Sequence, residues 1–304
     1  MSYKLVILKQ LCCICYNVDM KYTIAEDIEA VCTLLSLTPS KLAEKLGVAR
    51  STVLRILKGE TYPSDLFLAS FYSFAYQNSM RSIHLNDLKI EFAVDLYDKV
   101  LFHGAKSGLE GDIDLYHSRN DIDVGVGFYL GESYDQASSY VFPYRSSSVY
   151  LFDAKELSKL KTMEFTVCLE WMLMVSYYRG YIQDYRECAL LQQLIEEVEQ
   201  ADVVIAPIAD NDMYETMSRF SRGEITDMQA ISALSASHLG KQHVLKSERA
   251  CHSVHIVDRL YLCVEERRDI ERRRKEAAQV ALDKSTLAIK NLRRQGKYIE
   301  EILK

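Results

Sequence analysis

Proline is scarce in this chain, at 4 of 304 residues, and glycine is held to 12. Those counts exclude collagen-like and low-complexity classes, which depend on one or both. Positive charge is also in deficit: the formal net charge is −6. The protein therefore lacks the global cationic field of a nucleic-acid coat protein, and any nucleic-acid contact has to be local. Eight cysteines are present (Cys12, Cys13, Cys15, Cys32, Cys168, Cys188, Cys251 and Cys263). The tight group Cys12-Cys13-Ile14-Cys15 has no partner cluster, so reduced thiols in the cytoplasm are expected, with no metal. Long apolar runs are missing as well. Leu5 to Leu8 and Leu11 to Cys15 are interrupted by Lys9 and Gln10, too short for a secretory core or a bilayer span, so no membrane partner is expected. Residues 1–19 are expected to be an unstructured extension ahead of a start at Met20.

What is present is a globular composition, 48 % hydrophobic and 26 % charged, in a chain long enough for two domains. Residues 20–82 read as helical. Ala25 to Leu35 places Ile28, Val31, Leu34 and Leu35 on one face, the spacing of an amphipathic helix. Thr38 then caps a second helix with Pro39 at its first position, and Gly47 stops it. Val48 is an apolar plug, and Arg50 to Leu57 forms a third helix ending at Lys58-Gly59. Pro63 is expected to start a fourth through Leu66, Leu68, Phe71 and Phe74.

The string from Leu42 to Gly59 resembles the Xre, or phage-repressor, helix-turn-helix family. The resemblance implies that the third helix enters the major groove of operator DNA. Arg50, Ser51, Thr52 and Arg55 would be the base readers, with Lys58 on phosphate. Residues 20–80 carry six Lys/Arg and six Asp/Glu, however, and a neutral module binds DNA weakly unless it forms a homodimer. Dimerisation or docking of a partner protein stays open beside DNA binding.

After Asp95 the periodicity shortens. Val100-Leu101-Phe102 runs into His103-Gly104, and Asp112 to Tyr116 and Asp123 to Leu130 follow as candidate strands. Gln136 to Val141 reads as helix and Ser148 to Phe152 as strand. A helix-rich stretch covers about 154–199, before Asp202 to Ala206 and Gln242 to Leu245 return to strand.

Residues 97–250 are similar to the poly-ADP-ribose-polymerase and diphtheria-toxin branch of the ADP-ribosyltransferases, and more closely to an uncharacterised bacterial family of that clan. The similarity is carried by His103-Gly104, Asp123 to Leu130, Val203 to Asp212, Ile225 to Leu234 and Gln242 to Val244, in order. It implies an α+β architecture: an all-α helix-turn-helix domain, a split-β-sheet transferase-like domain, and a helical C-terminal tail over 251–304. It also implies NAD as substrate, with no metal. Tyr129 and Tyr140 would sandwich the nicotinamide, Gly104 would let the carboxamide approach the backbone, and His103 would bind a ribose hydroxyl. Gly125 and Gly127 would permit close packing beside the dinucleotide. His103, Tyr129 and Gln242 are the catalytic candidates. Gln242 stands where the polymerase branch has a glutamate that stabilises an oxocarbenium-like transition state. Asp210 and Asp212 are candidates for the missing charge, or simply turn and cap residues.

Residues 265–304 hold twelve Lys/Arg and eight Asp/Glu. Ala277, Val280, Ala281, Leu287, Ile289 and Leu292 suggest an amphipathic helix, packed on its own domain or offered to nucleic acid or a partner. The whole implies an NAD-dependent ADP-ribosyltransferase of toxin–antitoxin or defence type, acting on an unknown acceptor and partnered by an antitoxin protein. The alternative is a DNA-binding regulator whose degenerate transferase fold senses NAD or ADP-ribose. A scaffold without ligand is the third reading.

Overall fold

A computed structural model describes residues 24–79, 84–109, 113–117, 122–209, 211–236, 240–292 and 295–304. The cysteine group at 12–15, the extension 1–19 and Asp210 lie outside them.

The N-terminal helices are α1 (Ile24–Leu34), α2 (Pro39–Leu46), α3 (Arg50–Leu57), α4 (Asp65–Gln77) and α5 (Leu85–Leu96). Thr38 caps α2 by accepting the Lys41 N–H at 3.3 Å, and Pro39 sits in its first turn. Such a cap contributes about 1 kcal/mol. Gly47 ends α2 with φ 67° and ψ 27°, a left-handed conformation that costs glycine nothing. Three residues after Gly47, α3 begins. Ile28, Val31, Leu42, Ala43, Val53, Ile56, Phe67 and Phe71 form the shared core. The fourth helix begins at Asp65 instead of Pro63, because Ser64 is its cap, accepting the Phe67 N–H at 3.2 Å.

The rest is built on a seven-stranded sheet. Its strands are β1 (Val100–Ala105), β2 (Phe128–Gly131), β3 (Ser148–Asp153), β4 (Thr162–Glu164), β5 (Val203–Pro207), β6 (Lys241–Leu245) and β7 (His255–Tyr261), in the order β4-β5-β6-β2-β1-β3-β7. Only β4 and β5 run parallel. β1 meets β3 at six paired positions and β2 meets β6 at four, but β1 and β2 share just the pair Phe102 and Gly131. The strands form one continuous sheet, and the joint between β1 and β2 carries a single pair.

Helices α6 (Tyr134–Val141), α7 (Leu169–Tyr178), α8 (Ala189–Glu199), α9 (Asn211–Ser221), α10 (Asp227–Ser235) and α11 (Glu248–Cys251) connect the strands. The core under α7 to α10 centres on Trp171, Val204, Met217, Phe220 and Val244. Beneath α6 lie Phe102, Val149, Leu151 and Leu260 with Ala137 and Val141. The opposite face of the sheet buries Leu101, Phe128, Leu130, Phe152 and Leu245.

Three expectations need correction. Leu115–His117 is a single 3-10 turn, not a strand. Of the expected strand Asp123 to Leu130 only the end is strand. Residues 122–127 form a turn with Gly125 at φ 70°; the Gly125 N–H donates back to Ile122 O at 2.9 Å, and Val124 N–H, Val124 O and Gly125 O are taken by side chains instead of a ladder. The segment 251–304 is not wholly helical, since β7 pairs with β3 along its length. The long helix α12 (Val264–Asn291) follows, and α13 (Ile299–Ile302) returns to bury Ile299 and Leu303 beside Trp171. Gln229 Nε2 donates to Ile289 O at 2.9 Å and Asp227 N–H to Lys297 O at 2.9 Å, so the tail packs on its own domain.

The helical domain is joined to the sheet through buried charge. Lys89 on α5 reaches Asp27 of α1 at 3.0 Å and Asp258 of β7 at 2.9 Å, with its side chain 5 % exposed. Tyr72 donates to Asp27 at 2.6 Å and stacks on Tyr261 at 4.5 Å.

Candidate functional site

Neighbouring residues on a strand face opposite ways, and this decides how the candidate residues are grouped. His103 stacks on Phe128, ring centroids 4.3 Å apart, and both belong to the face that buries Leu130 and Leu245. Tyr129 is the next residue of β2 and packs against the core on the other face. The structure therefore brings His103 to the backbone of Tyr129 but not to its ring. His103 Nδ1 donates to Tyr129 O at 2.7 Å, because a carbonyl can only accept. This bond bridges β1 and β2 where their ladder has stopped. Burial lowers the His103 pKa, so the ring is neutral with Nε2 as acceptor.

Tyr129 closes the 122–127 turn. Its hydroxyl donates to Gly125 O at 2.7 Å and accepts the Val124 N–H at 3.1 Å. Burial, then the nearby Asp123 carboxylate, push its pKa well up. Lys246, also buried, donates to Val124 O at 2.9 Å from the other side.

Asp123 is the hub of this face. It is buried and accepts from Arg179 at 2.8 Å, Tyr214 OH at 3.0 Å, Gln242 Nε2 at 3.1 Å and the Ala209 N–H at 3.3 Å. The Arg179 guanidinium also lies 4.0 Å from the Tyr214 ring centroid, within range of a cation–π contact. Burial works against the Arg179 charge, yet the Asp123 carboxylate outweighs it and the pKa is raised. The Tyr214 pKa rises through burial and the same carboxylate.

Gln242 gives its second amide hydrogen to Pro207 O at 3.3 Å. Both partners are pure acceptors, which fixes the orientation of the amide and leaves Oε1 as its acceptor atom. Asp212 lies on α9, but its side chain is outside the described residues.

Sequence reasoning missed Asp123, Arg179 and Tyr214 as functional candidates. Asp123 was visible as the first residue of the Asp-Val-Gly-Val-Gly-Phe-Tyr-Leu segment; nothing in the sequence marked the other two. It also missed His243, whose Nε2 lies 3.0 Å from Glu132 and whose buried Nδ1 has no partner.

The glycines do packing work here. A Cβ at Gly104 would stand 2.5 Å from Ala137 O and 2.9 Å from Val141 Cγ1, so Gly104 lets α6 lie directly on β1. A Cβ at Gly127 would meet Val244 at 2.6 Å, where β2 passes β6. Tyr140 faces outward from α6 at 58 % exposure. It is not brought to the Tyr129 ring by any contact; its neighbour is the ammonium of Lys106, 5.2 Å from the ring centroid.

The first turn of α12 holds α6 at both ends. Glu266 accepts from Tyr134 OH at 2.6 Å, and the Arg267 guanidinium donates to Phe142 O at 2.8 Å, Tyr144 O at 2.7 Å and Ser147 Oγ at 2.9 Å. On the helical domain Arg50, Ser51, Arg55 and Lys58 are exposed along one side of α3, and Thr52 is half-buried. Lys58 pairs with Glu60 at 3.8 Å. A cavity of about 320 Å³ lies elsewhere, between Asp114, Tyr116, Glu248, Cys251 and His252; none of the candidate residues lines it. Among the described residues no cluster of potential metal ligands occurs, and no described helix is long and apolar enough to cross a membrane.

No curated protein matches the chain, and no solved structure does. A family model does match, over residues 99–256, which run from the start of β1 into β7 and include His103, Asp123, Tyr129, Arg179, Tyr214 and Gln242. The chain belongs to the family described as "Protein of unknown function (DUF3990)".

Proposed function

We propose that the sheet domain binds NAD, cleaves its nicotinamide–ribose bond and transfers ADP-ribose to an acceptor, under the control of a DNA-binding helical domain. The observation that carries this reading is the Gln242–Asp123 contact beside Tyr129. Glycosyl cleavage builds positive charge on the ribose, and a hydrogen-bond acceptor on the ribose hydroxyl stabilises it. Gln242 Oε1 is such an acceptor. Its amide donates to a buried carboxylate at 3.1 Å, which polarises the group and strengthens the oxygen as an acceptor. The charge of Asp123 then acts one residue removed, and Gln242 is no loss of function. In this reading His103 is a positioning residue that sets the Tyr129 carbonyl, and Asp123 positions Gln242.

The test is nicotinamide release from NAD by the full chain, wild type beside Gln242→Met, which keeps the volume and removes the acceptor. Release that falls on the order of 100-fold in the variant supports transfer, in line with the loss of one transition-state hydrogen bond. A wild type that neither binds NAD nor releases nicotinamide sinks the reading.

A second reading is favoured by one observation: four separate groups donate to Asp123, and Arg179 balances its charge. A site so fully satisfied internally suits a sensor of NAD or ADP-ribose that regulates α3 on operator DNA. NAD binding without turnover, together with operator affinity that changes with NAD, would select it.

A further inference from the structure

We propose that Lys106, Tyr140 and Tyr144 form a rim subsite that takes the diphosphate and one flat ring of a dinucleotide. The inference rests on the NAD reading above and adds the group that holds the anion.

Lys106 directly follows the last residue of β1 and stands two positions beyond Gly104. β1 and β2 are paired only at Phe102 and Gly131, so the two strands part toward the Lys106 end. Its ammonium lies 4.7 Å from the Tyr144 ring centroid and 5.2 Å from that of Tyr140. Among the described residues no carboxylate pairs with it. Most other lysines near the sheet are spent: Lys89, Lys155, Lys241 and Lys246 all hold carboxylates. The next residue after Tyr144 is the exposed Arg145, and Asp135 on the same helix is engaged by Arg273 at 3.4 Å. Lys106 and Arg145 put two positive side chains on this rim.

The rings are exposed but not loose. Tyr140 and Tyr144 are 58 % and 43 % exposed, while the backbone that carries them is fixed. Arg267 donates to Tyr144 O at 2.7 Å, and Val141, one residue after Tyr140, is fully buried. A ligand would find both rings already placed, which spares the ordering cost of binding. The Lys106 ammonium is hydrogen-bonded to the Tyr144 and Tyr140 side chains, and its remaining N–H suits a phosphate oxygen. The open face of Tyr140 suits offset stacking of a nucleobase or nicotinamide. An anion alone would leave the rings unused, and an uncharged ring alone would leave the cation unused. A dinucleotide uses both.

The experiment is equilibrium binding of NAD, ADP-ribose and free nicotinamide to the full chain, for wild type, Lys106→Ala and Lys106→Arg, at low and high salt. Both substitutions are on the surface, so folding is retained and is checked by thermal melting. Lys106→Ala is expected to weaken NAD and ADP-ribose about tenfold, the ~1.4 kcal/mol of one charge-assisted contact. Nicotinamide binding stays unchanged, Lys106→Arg recovers most of the loss, and the salt dependence of NAD binding becomes shallower in Lys106→Ala. Wild type that binds NAD with an affinity Lys106→Ala does not alter would overturn the subsite and leave the NAD reading standing. Wild type that binds no NAD would overturn both. A single-stranded oligonucleotide is titrated in parallel. If Lys106→Ala loses oligonucleotide affinity and keeps dinucleotide affinity, the rim is a nucleic-acid surface and the proposal fails.

Discussion

Gln242→Glu replaces the donating amide of Gln242 with a carboxyl, and the structure argues that it will do harm. The amide Nε2 meets Asp123 Oδ2 at 3.1 Å and Pro207 O at 3.3 Å, and both side chains are buried. Exchange turns a donor between two acceptors into a third acceptor. One hydrogen bond to a charged group is lost, about 1.5–3 kcal/mol, and an uncompensated buried charge brings the cost to about 3–5 kcal/mol. The introduced carboxyl escapes part of this by staying protonated, so its folded-state pKa lies above the unfolded value of about 4.3. The sign follows: the penalty is absent below the unfolded value, grows as pH rises between the two, and is complete above the folded one. Urea unfolding at about pH 5 and about pH 8 reads this directly, with the variant losing more stability at the higher pH. Asp123→Asn combined with Gln242→Glu restores a donor opposite the carboxylate and should recover about half the loss or more, a non-additivity expected of contacting residues. Wild-type stability for Gln242→Glu at both pH values, or a double exchange no better than the sum of the single ones, would refute the reasoning.

Lys89→Met removes the cation shared by Asp27 and Asp258 and leaves the buried Asp27 carboxylate without its cation beside the partly exposed Asp258, an expected loss of about 3 kcal/mol; urea unfolding measures it, and limited proteolysis between the helical and sheet domains should become faster. His103 and His243 both have pKa values lowered by burial from 6.5. Their unfolded forms take up protons first as pH falls, so stability should decline as pH drops through 6.5 toward the lowered values; His243→Leu, which also removes an unpartnered Nδ1, should flatten that slope in unfolding titrations. Arg50→Ala and Arg55→Ala should each weaken operator binding by about 1–3 kcal/mol and relax sequence preference, while Lys58→Ala lowers affinity alike for all sequences; gel-shift titrations against operator and random DNA separate the two, and equal effects from all three would leave α3 without a base-reading role.

The elements read most readily from the sequence are those whose signals are local. Thr38-Pro39 and Gly47 mark the ends of α2 through capping and a left-handed turn, and β1, β3 and β5 are built on short apolar runs. Helix α5 escaped because its inward face carries Asn86 and Lys89, polar residues whose burial is tolerated only because Glu266, Asp27 and Asp258 wait for them. An apolar periodicity cannot register such a face. Strand β7 escaped for a related reason: Asp258 and Arg259 interrupt it, and its ladder with β3 carries a register shift at Leu151 and Phe152.

The site was less legible, since its partners are long-range. Asp123 finds Arg179 56 residues away, Tyr214 91 away and Gln242 119 away. A motif read along the chain ranks residues one by one, and by that ranking His103 and Tyr129 fall together while Gln242 counts as a defect. The alternation of β2 separates the first two, because Phe128 takes the face of His103 and Tyr129 takes the other. The same alternation places Tyr129 on the face of Val244 and Gln242, beside the carboxylate. Once Asp123 is fixed there by Arg179 and Tyr214, the position facing its second oxygen has to donate. A glutamine can donate to Asp123 and still present an acceptor; a glutamate cannot do both while ionised. The identity of residue 242 is therefore set by residue 123, and the two have to be judged as one group.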